Sequence, residues 1–192
     1  MATRSSFSQL RIIGGSWRGR KLAFVPLPGL RPTPDRVRET LFNWLAPVIH
    51  GAACLDLFAG SGALGIEAAS RGAGRCVLIE RDTRAVRMLR EQIDRLGGGQ
   101  IEVIEADALL WLAAAPRPFD IVFVDPPFRA GLLPECIRLL ESRGWLTNDA
   151  WVYLETAKDT QPDLPANWLP YRERCAGQVS YRLIRRSAAA AT

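Results

Sequence analysis

The sequence predicts an α/β fold in which helices flank a mostly parallel sheet. Three observations carry that prediction. From residue 53 onward short apolar runs alternate with segments of helical periodicity, a glycine-rich turn follows the first run, and Pro126-Pro127 closes the fourth. Repeated βα order requires parallel strands joined by right-handed crossovers. At 192 residues and 48% hydrophobic content, the chain suffices for one well-packed domain with a small appendage.

Residues 10–17 and 20–25, at the start of the chain, read as a β-hairpin turning near Arg18-Gly19, because β-branched and aromatic residues flank a glycine. Such a ribbon is too small to be stable alone. A proline-rich run at 26–32 separates it from the first helix, so residues 1–30 are expected to form a hairpin extension with its linker and 31–186 the main domain. Thr33 is expected to cap that helix with Pro34 at its first position; Val37, Leu41, Trp44 and Leu45 repeat at helical spacing before Pro47. Strands at 53–58, 75–80, 101–105 and 119–125 then alternate with helices at 63–71, 83–96 and 108–114. A helix at 132–141 and a strand at 151–155 come next, and 171–176 with 179–185 form a closing antiparallel hairpin around Gly177. The alanine-rich residues 187–192 are expected to be a disordered tail.

The net charge of +5 is unevenly spread: residues 1–40 carry eight Arg/Lys against two Asp/Glu, residues 171–192 carry five against one, and the middle is net acidic. Basic ends release counterions from a phosphate backbone, so nucleic acid is the expected partner. Residues 1–9 lack the apolar core of a signal peptide and no run reaches the roughly 18 apolar residues of a membrane span, which leads to the expectation of a soluble, cytoplasmic protein with no membrane partner. Four scattered cysteines, none at C-x-x-C spacing, and the single His50 point to no metal and no histidine triad; the cysteines are expected to be buried small hydrophobes.

Gly60-Ser61-Gly62-Ala63-Leu64-Gly65 sits between a predicted strand and helix, with Glu80 twenty residues after Gly60. That is the dinucleotide pattern. Asp56, just before the turn, discriminates: a carboxylate repels a pyrophosphate but attracts the ammonium of S-adenosylmethionine, which has no phosphate. The expected cofactor site is Asp56, Phe58, Ala59, Gly60, Ser61, Gly62, Glu80, Arg81, Asp107 and Ala108, with Glu80 on the ribose hydroxyls and Asp107-Ala108 near the adenine amino group. Plainer roles compete for three of them. Asp107 could cap its helix, Glu80 could pair with Arg81 or Arg84, and Asp56 could anchor its own turn.

Asp125-Pro126-Pro127-Phe128 supplies what a planar amino group needs to become a nucleophile. The Asp125 carboxylate and the Pro126 carbonyl accept its two protons, and Phe128 stacks on the base carrying it. Together with the cofactor turn, this points to methyl transfer onto an exocyclic amine, with the catalytic group at 125–128 and no nucleophilic cysteine beside it.

Further residues narrow the reading: Arg11-Ile12-Ile13-Gly14-Gly15, Trp17-Arg18-Gly19-Arg20-Lys21-Leu22, Arg31-Pro32-Thr33, and 35–43. With these and the two motifs above, the chain resembles the bacterial 16S ribosomal RNA guanine-N2 methyltransferase family over residues 10–186. The resemblance implies a Rossmann-like class I methyltransferase with a seven-stranded sheet and an N-terminal hairpin, S-adenosylmethionine as donor, S-adenosylhomocysteine as product, and guanine 966 as acceptor. It implies action on the small ribosomal subunit or its assembly intermediate, and the chain is expected to be a monomer. It also places the helix from Thr33, with Arg36 and Glu39, over the cofactor, while Arg11, Trp17, Arg18, Arg20 and Lys21 on the hairpin are the candidate RNA contacts. The family often has tyrosine where Phe128 stands. A DNA adenine-N6 methyltransferase, a non-catalytic nucleic-acid module and a nicotinamide dehydrogenase remain as competing readings.

Overall fold

The computed structural model describes residues 8–26, 33–127 and 131–187. Its elements are β1 (Ser8–Arg11), β2 (Lys21–Phe24), α1 (Asp35–Leu45), β3 (Ala53–Asp56), α2 (Ala63–Ser70), β4 (Arg75–Glu80), α3 (Thr83–Leu96), β5 (Ile101–Glu105), α4 (Ala108–Leu112), β6 (Phe119–Val124), α5 (Leu133–Ser142), β7 (Leu146–Ala157), β8 (Trp168–Ala176) and β9 (Val179–Arg186). β1 and β2 form a two-stranded sheet; the other seven strands run in the order β5-β4-β3-β6-β7-β9-β8. The first five of these pair in parallel, and β9 is antiparallel to both β7 and β8.

Alternating burial builds two layers on this sheet. Cys54, Leu78, Phe123, Tyr153 and Leu183 face α1, α2 and α3, whereas Leu55, Val77, Val122, Val152 and Ile184 face α4 and α5. α1 contributes Val37, Leu41, Phe42 and Leu45, the stripe expected from its periodicity. No helix among the described residues is long and apolar enough to cross a membrane.

Several elements depart from the sequence expectation. The hairpin exists, but its strands are four residues each and the connection spans 12–20. The reason is α2: Ile13 and Gly14 donate their backbone N–H groups to the Glu67 carboxylate at 2.9 and 2.8 Å, and Ser16 donates to the Ser70 carbonyl at 2.7 Å. A ladder cannot use donors already committed elsewhere. At Gly15, φ is +76° and a Cβ would lie 1.8 Å from the Ser70 oxygen, so only glycine fits. The hairpin is therefore no free appendage: Leu10, Ile12, Trp17, Leu22 and Phe24 lie in the α1–α2–α3 core. Most of the proline-rich run, 27–32, and the tail from 188 lie outside the described residues.

Thr33 does not cap α1, whose N-cap is Pro34 without a side-chain hydrogen bond. β7 extends back to Leu146, where it pairs with Phe119 across a bulge, and β8 starts at Trp168. Pro170 reads as a breaker in the sequence, yet it lies within β8, because an edge strand tolerates a missing donor. Cys54, Cys76 and Cys136 are buried as expected, and Cys175 on the edge strand is exposed.

Candidate active site

The sheet reverses its winding between β3 and β6, since β4 continues from β3 on one side while β6 lies on the other. The crevice at the carboxyl ends of such strands is where open α/β sheets bind ligands. Asp56 ends β3 and Asp125 follows the last residue of β6, so the two predicted motifs flank this point. A cavity of about 620 Å³ among Val48, His50, Ile121 and Trp151 lies at the opposite ends of the strands, away from both motifs.

Asp56 is 4% exposed and accepts the Gly65 N–H at 2.9 Å. Burial pushes its carboxyl up to about 7, with Glu80 adding repulsion and the Gly65 and Phe58 N–H groups opposing the shift. The plainer role expected of Asp56, anchoring the turn, is thus realised. A cation arriving beside it would restore its charge. Glu80 is not paired with Arg81 or Arg84: Oε2 accepts the Gly60 N–H and Oε1 the Asp82 N–H, both at 2.8 Å. This fixes the carboxylate at the turn with lone pairs remaining for hydroxyl donors.

Gly62 carries φ +75° at the N-cap of α2, and a Cβ there would meet Leu89 at 2.6 Å and Ile66 at 2.7 Å. Its glycine is required by the turn and by helix packing, not only by close approach of a ligand. Ala59 and Ser61 are buried and Phe58 half-buried beside it. Asp107 caps α4 by accepting the Leu109 and Leu110 N–H groups at 3.0 and 3.2 Å through Oδ1, and Ala108 is buried behind it. Arg81 is exposed with Arg84, Arg87 and Arg90.

Around Asp125 the structure adds a residue that sequence reasoning missed. Val124 pairs with Leu154, so Glu155 continues β7 beside Asp125 on the same face as Asp56. Glu155 is 6% exposed, and its Oε1 accepts the Tyr153 hydroxyl at 2.6 Å and the Thr33 hydroxyl at 3.3 Å. Burial, then the charges of Glu155 and Asp56, hold Asp125 well above the usual carboxylate range. Glu155 is also raised by burial, against its two hydroxyl bonds, and Tyr153 is pushed well up by burial and by Glu155. A signal for Glu155 was present: β3, β4 and β7 each end an apolar run on an acid at Asp56, Glu80 and Glu155, as Asp125 does after β6.

Pro126 is buried and Pro127 exposed; Phe128 lies outside the described residues. Thr33 reaches the site through Glu155, whereas Arg36 and Glu39 lie exposed on α1. On the hairpin Arg11, Arg18, Arg20 and Lys21 are exposed, but Trp17 is only 8% exposed and packs in the core, which corrects its assignment as an RNA contact. Its backbone N–H donates to the Ser70 hydroxyl at 3.0 Å, drawing the residue inward.

Comparison with known proteins matches the chain to a family. The family described as Conserved hypothetical protein 95 matches residues 10–185. Ribosomal RNA small subunit methyltransferase D of Escherichia coli (strain K12) is 55% identical over 185 residues, covering 96% of this chain and 93% of that protein. The chain belongs to the ribosomal RNA small subunit methyltransferase D family. The Haemophilus influenzae member is 45% identical, covering 94% and 96%. The solved structure of yhhF from Escherichia coli aligns with a TM-score of 0.87 at 56% identity, covering 95% of this chain and all of that one. An RNA methyltransferase from Salinibacter ruber, solved with S-adenosyl-L-homocysteine, shares the class I methyltransferase fold at 20% identity and a TM-score of 0.64, covering 83% and 96%. In this member of the methyltransferase D family, Asp56, Glu80, Asp125 and Glu155 stand at the carboxyl ends of the strands that flank the switch point.

Proposed function

We propose that the protein transfers a methyl group from S-adenosylmethionine to the exocyclic N2 amine of guanine 966 in 16S ribosomal RNA, as a cytoplasmic monomer acting on the assembling small subunit. The observation that carries this reading is the placement of Asp125-Pro126 beside Asp56 at the sheet's switch point. The family relatives named for ribosomal RNA small subunit methylation support the substrate class.

The residues present fit the donor. S-adenosylmethionine supplies, when bound, a cationic sulfonium carrying an electrophilic methyl. Asp56 holds an ammonium, and Glu80, already pinned to the Gly60 turn, receives ribose hydroxyls. The row of buried and half-buried acids favours a cationic ligand over a phosphate-bearing one. Asp125 and the Pro126 carbonyl accept the two N–H groups of the guanine amine, localising its lone pair and aiming it at the methyl. Methyl transfer to that nitrogen would release one of its two protons, which Asp125 would accept while the other stays on the nitrogen. A carboxylate held above its ordinary range is the better acceptor for that proton.

The test is methyl transfer from labelled S-adenosylmethionine to undermethylated small-subunit particles, with naked 16S RNA and duplex DNA in parallel. N2-methylguanosine at position 966 is the expected product. N6-methyladenine in DNA, or no transfer despite donor binding, overturns the reading.

A further inference from the structure

The hairpin accounts for only one of the two basic ends of the chain. The other lies on β8 and β9, and its register ties it to the candidate site. Glu155 pairs with Tyr181, and Tyr181 pairs with Arg174; one step along, Tyr153, Leu183 and Arg172 form a parallel row. Directly opposed residues share a face. Tyr181 and Leu183 belong to the core beneath α1, and Trp44 of α1 stacks on Tyr181 at 5.6 Å. Arg172 and Arg174 therefore emerge at the sheet edge on the face that carries Asp56, Asp125 and Glu155, with Arg174 three strand spacings, about 14 Å, from Asp125.

Aromatic surface accompanies the charge. Tyr171, at the bulge where the β8 ladder slips, has no strand partner and is 48% exposed. Its ring meets Trp151 edge-on at 5.0 Å and lies 4.9 Å from the Arg172 guanidinium, while Arg185 sits 5.9 Å from the Trp151 ring. Arg185 is paired with Asp149 and Glu173 with Arg182, which leaves Arg172 and Arg174 without an ion-pair partner among the described residues. An unpaired arginine pair beside an exposed tyrosine suits a phosphate backbone with a stackable base.

We propose that the β8–β9 edge, through Tyr171, Arg172 and Arg174, is a second RNA-docking surface that holds the strand flanking the target base. It rests on the RNA-methyltransferase reading above. RNA crossing the α1 face is then held on two flanks, by the hairpin arginines and by this edge.

The experiment compares wild-type protein, R172E/R174E, the neutral R172A/R174A, Y171A, and the hairpin variant R18E/R20E for binding to 16S RNA across a salt series. Donor affinity and melting temperature are measured alongside. Both double substitutions at the edge should weaken RNA binding, the charge reversal by tenfold or more, with the salt slope reduced by about two at unchanged donor affinity. Y171A should lose about tenfold with its slope unchanged. Edge variants that bind RNA like wild type while R18E/R20E loses binding overturn the second surface and leave the functional reading intact. A wild-type protein that neither binds RNA nor methylates it overturns both.

Discussion

Tyr153 donates its hydroxyl to Glu155 at 2.6 Å, two residues apart on one face of β7. The same carboxylate oxygen takes the Thr33 hydroxyl, so the residues leading into α1 are fastened to the strand beside Asp125. Burial, with the charge of Glu155 next and that of Asp56 after it, holds the Asp125 carboxyl above its ordinary range. Glu155→Gln removes the charge while retaining an acceptor. Asp125 must be ionised to take the amine proton, so its activity is lost as pH falls through its raised pKa; without the neighbouring charge that limb of kcat/KM moves to lower pH. A profile superimposable on wild type would show that Glu155 does not act on Asp125.

Asp125 itself has the sharper expectation. Asp125→Ala removes the proton acceptor and one of two groups orienting the amine, and general-base contributions are about 10²–10⁴-fold. Transfer should fall within or beyond that range while donor affinity stays within about threefold, because the ammonium and ribose partners are on other strands. Single-turnover transfer with isothermal titration of the donor separates the two. Full activity in this variant would remove Asp125 from the mechanism.

The sheet and its helices were legible because apolar runs and helical periodicity alternate without interruption from Ala53 to Val124, and β4, α3 and β5 keep the expected bounds. Asp56, Glu80 and Asp125 were legible for a related reason, since each closes such a run. Non-local bonding hid the rest. Trp17 looks like an exposed ribbon residue until Ser70 and the α3 side of the core claim it. Thr33 has the form of an N-cap, and its partner Glu155 lies 122 residues away. Pattern shows which face of an element is apolar, not which distant polar group will meet its end.

Asp56 predicts a pH dependence of donor binding. Its carboxyl titrates near 7 in the free protein, and a bound ammonium needs it ionised. Below about pH 7 each unit of acidity should therefore weaken the donor by up to tenfold, with proton release on binding. Asp56→Asn should bind weakly with little such dependence. For folding the sign is opposite: a carboxyl raised from about 4 to near 7 destabilises the charged form, so wild type loses stability as pH rises through that window. The uncharged amide of Asp56→Asn escapes this cost and still accepts the Gly65 N–H, so the variant should gain in melting temperature relative to wild type from pH 4 to 8. A gap independent of pH would contradict the raised pKa.

The Arg38–Glu67 pair predicts how the hairpin is held. Both side chains are 1% exposed, 3.4 Å apart. Arg38 also donates to Asp35 at 2.6 Å, to the Arg11 carbonyl at 2.8 Å and to the Thr33 carbonyl at 3.3 Å, so one guanidinium joins the end of β1, the start of α1 and α2. Glu67 in turn receives the N–H groups of Ile13 and Gly14 and the Arg71 side chain. Breaking one partner of a buried pair costs about 3–5 kcal/mol because the other charge is stranded. Arg38→Met should lose stability near the lower end of that range, since Arg71 remains on Glu67, and Arg38→Met with Glu67→Gln should recover part of it. Amide exchange at Ile13 and Gly14 should quicken in the single variant before the sheet opens, as the loop loses its anchor. Denaturant melts and exchange rates test both statements. Additive losses in the double variant, or protection at 13–14 equal to wild type, would mean that the pair does not hold the hairpin in place.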